Sequence, residues 1–311
     1  MNLGHTEIRV KGKDTNVPSL RLDGYTVIST GGWLKTAQLF DEELVERAAL
    51  PDPGDLIPKL RASPLKADLF SFAQRPPDIA PRHRFKLEWD NWALVGTTAF
   101  QKWWDGLPQE SRKNARLAEK RGVVVRTVPF DDELVGGIKR IYDETPFRQG
   151  RPFWHYGKSV EAVKKENSTY LDRSLFVGAY ANDRLIGFIK IIQVDDLAIL
   201  IQILAMAEHR DKKPMNALLK HTMQVCEQRG FTALVYGKYS YGVNKDSSLA
   251  EFKRRNGFTE VRFPRYFVPF SITGRIALST GLHLGWKNLV PTSVSSFLVA
   301  ARAKALKATA A

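Results

Sequence analysis

Cysteine is almost missing from this chain. Cys226 is the single one in 311 residues, so neither an internal disulfide nor a cysteine-built metal site can form, which fits a reducing compartment. Histidine is sparse at six residues, and no Ser-His-Asp spacing, Walker loop or His/Asp metal cluster can be traced. No run approaches the roughly 18 apolar residues that crossing a bilayer needs. The first residues, Met1 to Glu7, lack the basic-then-apolar layout of a secretory signal. Together these absences predict a cytoplasmic protein without metal, with a membrane surface still open to it. Acidic side chains also run out: none follows Glu260, whereas Arg262, Arg265, Arg275, Lys287, Arg302, Lys304 and Lys307 do.

What is present is positive charge. Lys and Arg number 47 against 33 Asp and Glu, a formal net charge of +14. Such an excess favours nucleic acid, nucleotide-bearing cofactors or acidic lipid surfaces, and says nothing of fold. A hydrophobic content of 43% suits a soluble globular protein of one large or two small domains.

Residues 1–20 are polar without clear period and read as a frayed or edge segment. Tyr25–Ser29 is strand-like, Asp41–Ala49 has helical composition, and the prolines at 51, 53 and 58 imply a loop. Strands are expected at Ala67–Phe72 and Phe85–Val95. Leu107–Arg121 is a basic helix closed by Gly122, either a solvated face or a surface for phosphate or tRNA. A strand at Val123–Val128 and a helix at Asp131–Tyr142 follow. The loop 145–158 then gathers Arg148, Gln149, Arg151, Trp154, His155, Tyr156 and Lys158. Such loops bind more readily than they pack, so Arg148, Gln149, Arg151, Trp154 and Tyr156 are candidates for substrate binding. The alternative is a surface loop whose aromatics plug the core.

From Leu175 to Phe270 the pattern is most regular. Apolar runs at Leu175–Tyr180, Leu185–Val194 and Leu197–Met206 are separated by the turns Ala181–Arg184 and Asp195-Asp196. After Pro214 the period becomes helical, with Met215, Leu218, Leu219, Thr222, Val225 and Cys226 on one face and Gly230 at the end. Cys226 therefore reads as a core residue. Phe231–Tyr236 is again a strand, and a right-handed crossover makes it parallel to the strand before the helix. The fold class is α/β, a mixed sheet with a central crossover helix.

That order resembles the core of GNAT N-acyltransferases. Ser111–Gly122 is similar to the R-K-x-x-R-x-A-x-K-x-G-V segment of Fem-type transferases, relatives that add amino acids to peptidoglycan precursors. Pro214–Leu219 resembles the start of their central helix, and Glu251–Phe258 their F-K-x-x-x-G-F segment. The resemblance covers about residues 105–270, within an expected division into 1–105, a degenerate GNAT-like half of a tandem arrangement, 106–270, the catalytic domain, and 271–311, a basic tail. It departs at the turn before the central helix, where Lys213 and Met215 stand at the two glycines of R-x-x-G-x-G; this argues against ordinary acetyl-CoA binding. The resemblance implies transfer of an acyl or aminoacyl group to an amine in envelope or polysaccharide biosynthesis, from aminoacyl-tRNA or acyl-CoA. Two strands, Leu197–Met206 and Phe231–Tyr236, would splay to receive the donor carbonyl. Arg210, Lys212, Lys213, Asn216, Lys238, Lys253 and Arg254 would hold the donor, and Tyr236, Tyr239 and His155 would move protons. A small-molecule acetyltransferase and a non-catalytic module for RNA or anionic membrane are the alternatives. Residues 271–311, basic and amphipathic with Trp286, either contact an anionic membrane or pack on the domain.

Overall fold

The computed structural model describes residues 2–10, 13–148, 150–240 and 247–285. Strands β1 (Leu3–Val10), β2 (Lys13–Leu22), β3 (Tyr25–Thr30) and β4 (Thr36–Leu39) are followed by helix α1 (Pro53–Arg61), β5 (Leu69–Ala73) and β6 (Lys86–Gly96). Helices α2 (Phe100–Gly106) and α3 (Gln109–Lys120) lead to β7 (Val124–Val128) and α4 (Asp132–Asp143). Two short strands, β8 (Phe147–Arg148) and β9 (Arg151–Pro152), precede α5 (Val160–Asn167). The remainder is β10 (Ser174–Ala181), β11 (Arg184–Val194), β12 (Leu197–Ala205), α6 (Pro214–Gln228), β13 (Ala233–Val235), α7 (Ser248–Arg255), β14 (Thr259–Pro269) and α8 (Ile272–Thr280).

The chain forms two compact units. The first takes in residues up to 42, 51–89 and 263 onward; the second is 43–50 with 90–262. These bounds differ from the divisions at 105 and 270, because residues 94–96 of β6 pair with β13 and residues 265–269 of β14 pair with β5.

In the first unit β1 to β4 form an antiparallel meander, β4 joins β5 in parallel, and β5 pairs antiparallel with the end of β14. In the polar N-terminal stretch β1 is thus an edge strand held to β2 by backbone bonds rather than by burial, while β2 buries Val17 and Leu20. The loop expected from Pro51 to Pro58 is instead α1. Asp52 caps it by accepting from the Gly54 N–H at 2.6 Å, and Pro53 sits at the first position, where no amide hydrogen is needed. Burial of Leu56 and Leu60 carries the helix past Pro58. The helical composition of Asp41–Ala49 yields only two single 3-10 turns, Glu42–Leu44 and Arg47–Ala49.

In the second unit the strand order is β6-β13-β12-β11-β10-β7, with β12 and β13 the parallel pair expected around the crossover helix α6. Its core joins Ile138, Ile141 and Tyr142 of α4 to Phe188, Ile189 and Leu218 across the sheet. Gly137 allows α4 to lie close on β11: a Cβ there would stand 2.6 Å from Leu185 Cδ2. Cys226 is fully buried and its thiol is pushed up to about 12 by burial, as a core residue should be. Helix α3 packs on α6 through Ala115 and Ala118, leaving Lys113, Arg116 and Lys120 exposed.

Candidate active site

Strands β12 and β13 pair over only three residues, Leu197 with Ala233 to Ile199 with Val235. Beyond that point β12 runs on to Ala205 while the other strand leaves it. Tyr236 N–H donates to the Ala93 carbonyl and Ala93 N–H to the Gly237 carbonyl, both at 2.8 Å, so the chain follows β6 instead. Gly237 takes φ +52° at that departure. β12 also carries a bulge: Lys190 and Ile191 of β11 face Gln202 and Leu200, leaving Ile201 as the extra residue, 42% exposed. The result is an opening in the sheet at the C-terminal ends of two parallel strands, where open α/β sheets place ligands.

One side of the opening gathers Tyr236, Lys238, Tyr239 and Lys253. Lys253 is buried at 1% exposure. Its Nζ donates to the Lys238 carbonyl at 2.5 Å and lies 4.5 Å from the centre of the Tyr236 ring. Burial lowers its pKa to about 8. Lys238 pairs with the buried carboxylate of Asp90 at 2.8 Å. The N–H groups of Tyr239 and Ser240 both donate to Asn91 Oδ1, at 2.8 and 3.1 Å. Asp90 and Asn91 thus fix this corner, and nothing in their local composition marked them. Arg254 points elsewhere: it is exposed on α7 and paired with Glu251 at 2.7 Å.

On the β12 side stands the loop 145–158. Arg148 is occupied within the fold, donating to the Ala205 and Ile141 carbonyls and to Glu144 Oε2, each at 3.1 Å, with its charge 4.5 Å from the Phe153 ring. It staples the loop to the end of β12. Burial lowers its pKa, opposed by Glu144. His155 is buried between Tyr142 and Trp154, whose ring centres are 4.1 and 3.5 Å away. Its Nε2 is 3.3 Å from Gln202 Nε2, and its Nδ1 is 3.6 Å from Glu166 Oε2. Glu166 in turn holds Lys158 at 2.5 Å, and Gln202 meets the Tyr142 hydroxyl at 2.8 Å. Nδ1 also lies 3.5 Å from the Lys158 ammonium, so the ring is enclosed by protein groups on both nitrogens. Arg151, Trp154 and Tyr156 are exposed, so the loop both plugs the core and presents aromatics. Gln149 and Tyr241 lie outside the described residues, as do the tail residues from Trp286 onward. Gln202 was missed by sequence reasoning, although it is the one polar side chain in the apolar strand LAILIQILA.

Residues 138–258 match the acetyltransferase (GNAT) family. This segment is a GNAT domain. No curated protein matches the chain. Among solved structures, FemX is similar over 89% of each chain, with 11% identity and a TM-score of 0.58. L-PGS from Bacillus licheniformis is similar over 84% of this chain and 85% of its own, at 14% identity and TM-score 0.52. The C-terminal domain of a protein named as a lysylphosphatidylglycerol synthetase, from Agrobacterium fabrum, is similar over 83% and 85%, at 16% identity and TM-score 0.51. At these identities the likeness is one of fold.

The turn before α6 is where a GNAT domain would cradle the pyrophosphate of an acyl-CoA on backbone N–H groups. Here those groups are largely consumed. Arg210 donates to Ala207, Lys212 to His209, Lys213 to Arg210 and Asn216 to Lys213, at 2.9 to 3.2 Å, and Pro214 has no N–H. Lys213 holds φ +54°, a left-handed conformation that costs an L-residue energy and that glycine adopts freely. Arg210 is exposed, and Lys212, Lys213 and Asn216 are half-buried. The residues supply charge for a phosphate, while most of the backbone N–H groups of the turn are taken up within it.

Proposed function

We propose that the GNAT domain transfers an aminoacyl group from an ester donor to an amine. The parting of β12 and β13 beside buried Lys253 carries this reading. The amine attacks the ester carbonyl carbon, a tetrahedral intermediate forms, and the C–O bond to the donor breaks. The amine loses a proton and the departing oxygen gains one. A donor carbonyl lying in the opening meets the end of β13, where Lys253 adds positive charge in a low-dielectric setting as negative charge develops. Tyr236 and Tyr239 stand at the same strand end as proton donors to the leaving oxygen. His155, with both ring nitrogens facing protein groups, acts by holding Gln202 and the loop 145–158 in place.

For the donor, the consumed N–H groups of the turn favour aminoacyl-tRNA over acyl-CoA, and the exposed basic face of α3 suits an RNA backbone. The acceptor is read as an amine on an envelope saccharide or peptide, from the Fem-type resemblance and the likeness to FemX. Radiolabelled aminoacyl-tRNA incubated with the full chain and an envelope precursor should pass label to the precursor. Saturating CoA should leave thermal stability unchanged. Several degrees of stabilisation by CoA, with acetyl transfer to a small amine, would sink the donor assignment.

His155→Phe is expected to keep the ring stack but lose the nitrogen facing Gln202. Transfer should fall about tenfold through poorer positioning, with Glu166→Gln following in the same direction. Steady-state kinetics decides this, and unchanged kcat and KM in His155→Phe would remove the residue from the machinery.

A further inference from the structure

The first unit contains a cavity of about 530 Å³ lined by Lys35, Arg61, Leu65, Lys66, Asp68 and Phe270 among others. Transfer chemistry in the GNAT domain makes no use of it. Its charge is lopsided. Asp68 is the lone acid among the lining residues, and its carboxylate is turned into the fold, accepting from the Lys35 N–H at 2.8 Å and from Ser271 Oγ at 2.6 Å. Against it stand three cations. Arg61 lies 5.3 Å from the centre of the Phe270 ring and donates to the Pro269 carbonyl at 3.2 Å, which fixes its guanidinium at the cavity wall. Lys35 and Lys66 are exposed, and among the described residues no carboxylate pairs with either ammonium group. A concave site with fixed and mobile cations around an aromatic wall suits a phosphate group attached to something apolar.

Helix α8 is locked to the same wall. Ser271, while donating to Asp68, caps the helix by accepting from the Gly274 N–H at 3.1 Å. Gly274 lies so close that a Cβ on it would stand 2.1 Å from the Asp68 carbonyl oxygen. With Gly274 and Ala277 buried, the opposite face of α8 looks outward. That face carries Ile272 and Ile276, one turn apart and 74% and 55% exposed, with Arg275 exposed beside them. Two branched aliphatic side chains held out on one rigid helix leave apolar surface in water at about 25 cal/mol per Å². No helix among the described residues is long and apolar enough to cross a membrane.

We propose that this face of the first unit docks on an anionic bilayer. A phospholipid phosphate enters the cavity between Lys35, Arg61 and Lys66, and Ile272 and Ile276 seat among the upper acyl chains. Charge complementarity selects the occupant: three cations line the cavity and Arg275 lies beside the apolar pair, on a protein of net charge +14. A nucleic acid would meet the cations but gain nothing from the isoleucines.

The test uses the full chain in vesicle flotation. Vesicles of phosphatidylcholine mixed with phosphatidylglycerol should carry the protein, and vesicles of phosphatidylcholine alone should not. Lys35→Glu/Lys66→Glu should weaken partition roughly tenfold or more, since each basic group near an anionic surface contributes strongly. Ile272→Ser/Ile276→Ser should weaken it by a comparable factor while leaving salt sensitivity in place. Circular dichroism of both variants guards against unfolding, and single Lys66→Gln serves as a milder second probe. Undiminished flotation of the charge-reversed chain would overturn the proposal, as would equal binding to neutral vesicles. Calorimetric binding of glycerol 3-phosphate, together with unchanged flotation of the isoleucine variant, would assign the cavity to a soluble phosphate ester and also overturn it.

Discussion

Replacing Lys253 with Met is expected to lower aminoacyl transfer by about a hundredfold or more while the chain still folds. The side chain is buried, its ammonium bound to the Lys238 carbonyl and set beneath the Tyr236 ring. Met preserves most of the stem's volume and removes the charge. The loss of one hydrogen bond and one cation–π contact should cost roughly 1–2 kcal/mol, offset in part by no longer burying a charge. A large fall in rate with a small fall in stability separates an electrostatic role from a purely structural one. The pH profile separates them further. Burial lowers the Lys253 pKa to about 8, so the ammonium is present below that pH and is lost above it. Transfer should therefore decline as pH rises through about 8, and Lys253→Arg, always charged, should lack that alkaline limb even if slow. Transfer by Lys253→Met within threefold of wild type, or an alkaline limb unmoved in Lys253→Arg, would exclude the assignment.

The GNAT core was legible because its signals are local. Apolar runs at 175–180, 185–194 and 197–206 became β10, β11 and β12 nearly residue for residue, and Gly230, at φ +72°, lies just past the end of α6. The first unit was not legible, because its elements are assembled from distant stretches. β5 pairs with residues 265–269 of β14, and α1 forms under three prolines, a composition that by itself reads as loop. Local turn chemistry says little when a cap and two buried leucines decide the outcome.

The site divides along the same line. Tyr236, Lys238, Tyr239 and Lys253 meet because a strand end and the next helix are near in sequence. Arg254 fails to join them because neighbours on a helix point about 100° apart, which turns Lys253 inward and Arg254 to water. His155 was found through its crowded loop, but its partners were not. Gln202 comes from β12 and Glu166 from α5, and only the folded chain places both beside the imidazole. A single polar residue inside an apolar strand was the available clue, and Lys190 in β11 carries the same mark.

Lys190 supplies the largest expected effect on stability. It is 1% exposed, and its Nζ donates to the Asn167 carbonyl at 2.9 Å, the Thr169 carbonyl at 2.7 Å and Thr169 Oγ1 at 3.0 Å. These acceptors lie where α5 ends, and helix ends leave carbonyls without intrahelical donors. Lys190→Met would strip the carbonyls of this donor while relieving the cost of a buried charge, for a net loss of about 2–3 kcal/mol. The pH dependence has a definite sign. Burial lowers the Lys190 pKa from 10.5 to about 8 in the folded chain. Between those values the unfolded chain binds the extra proton, so this group's contribution to stability rises with pH and is lost as pH falls through about 8. Urea unfolding of wild type and Lys190→Met at pH 7 and again near pH 9.5 should show a wider gap at the higher pH. A gap that narrows would mean that the charged form is the one the fold prefers, with Lys190 held as a helix-end cation rather than as a buried amine.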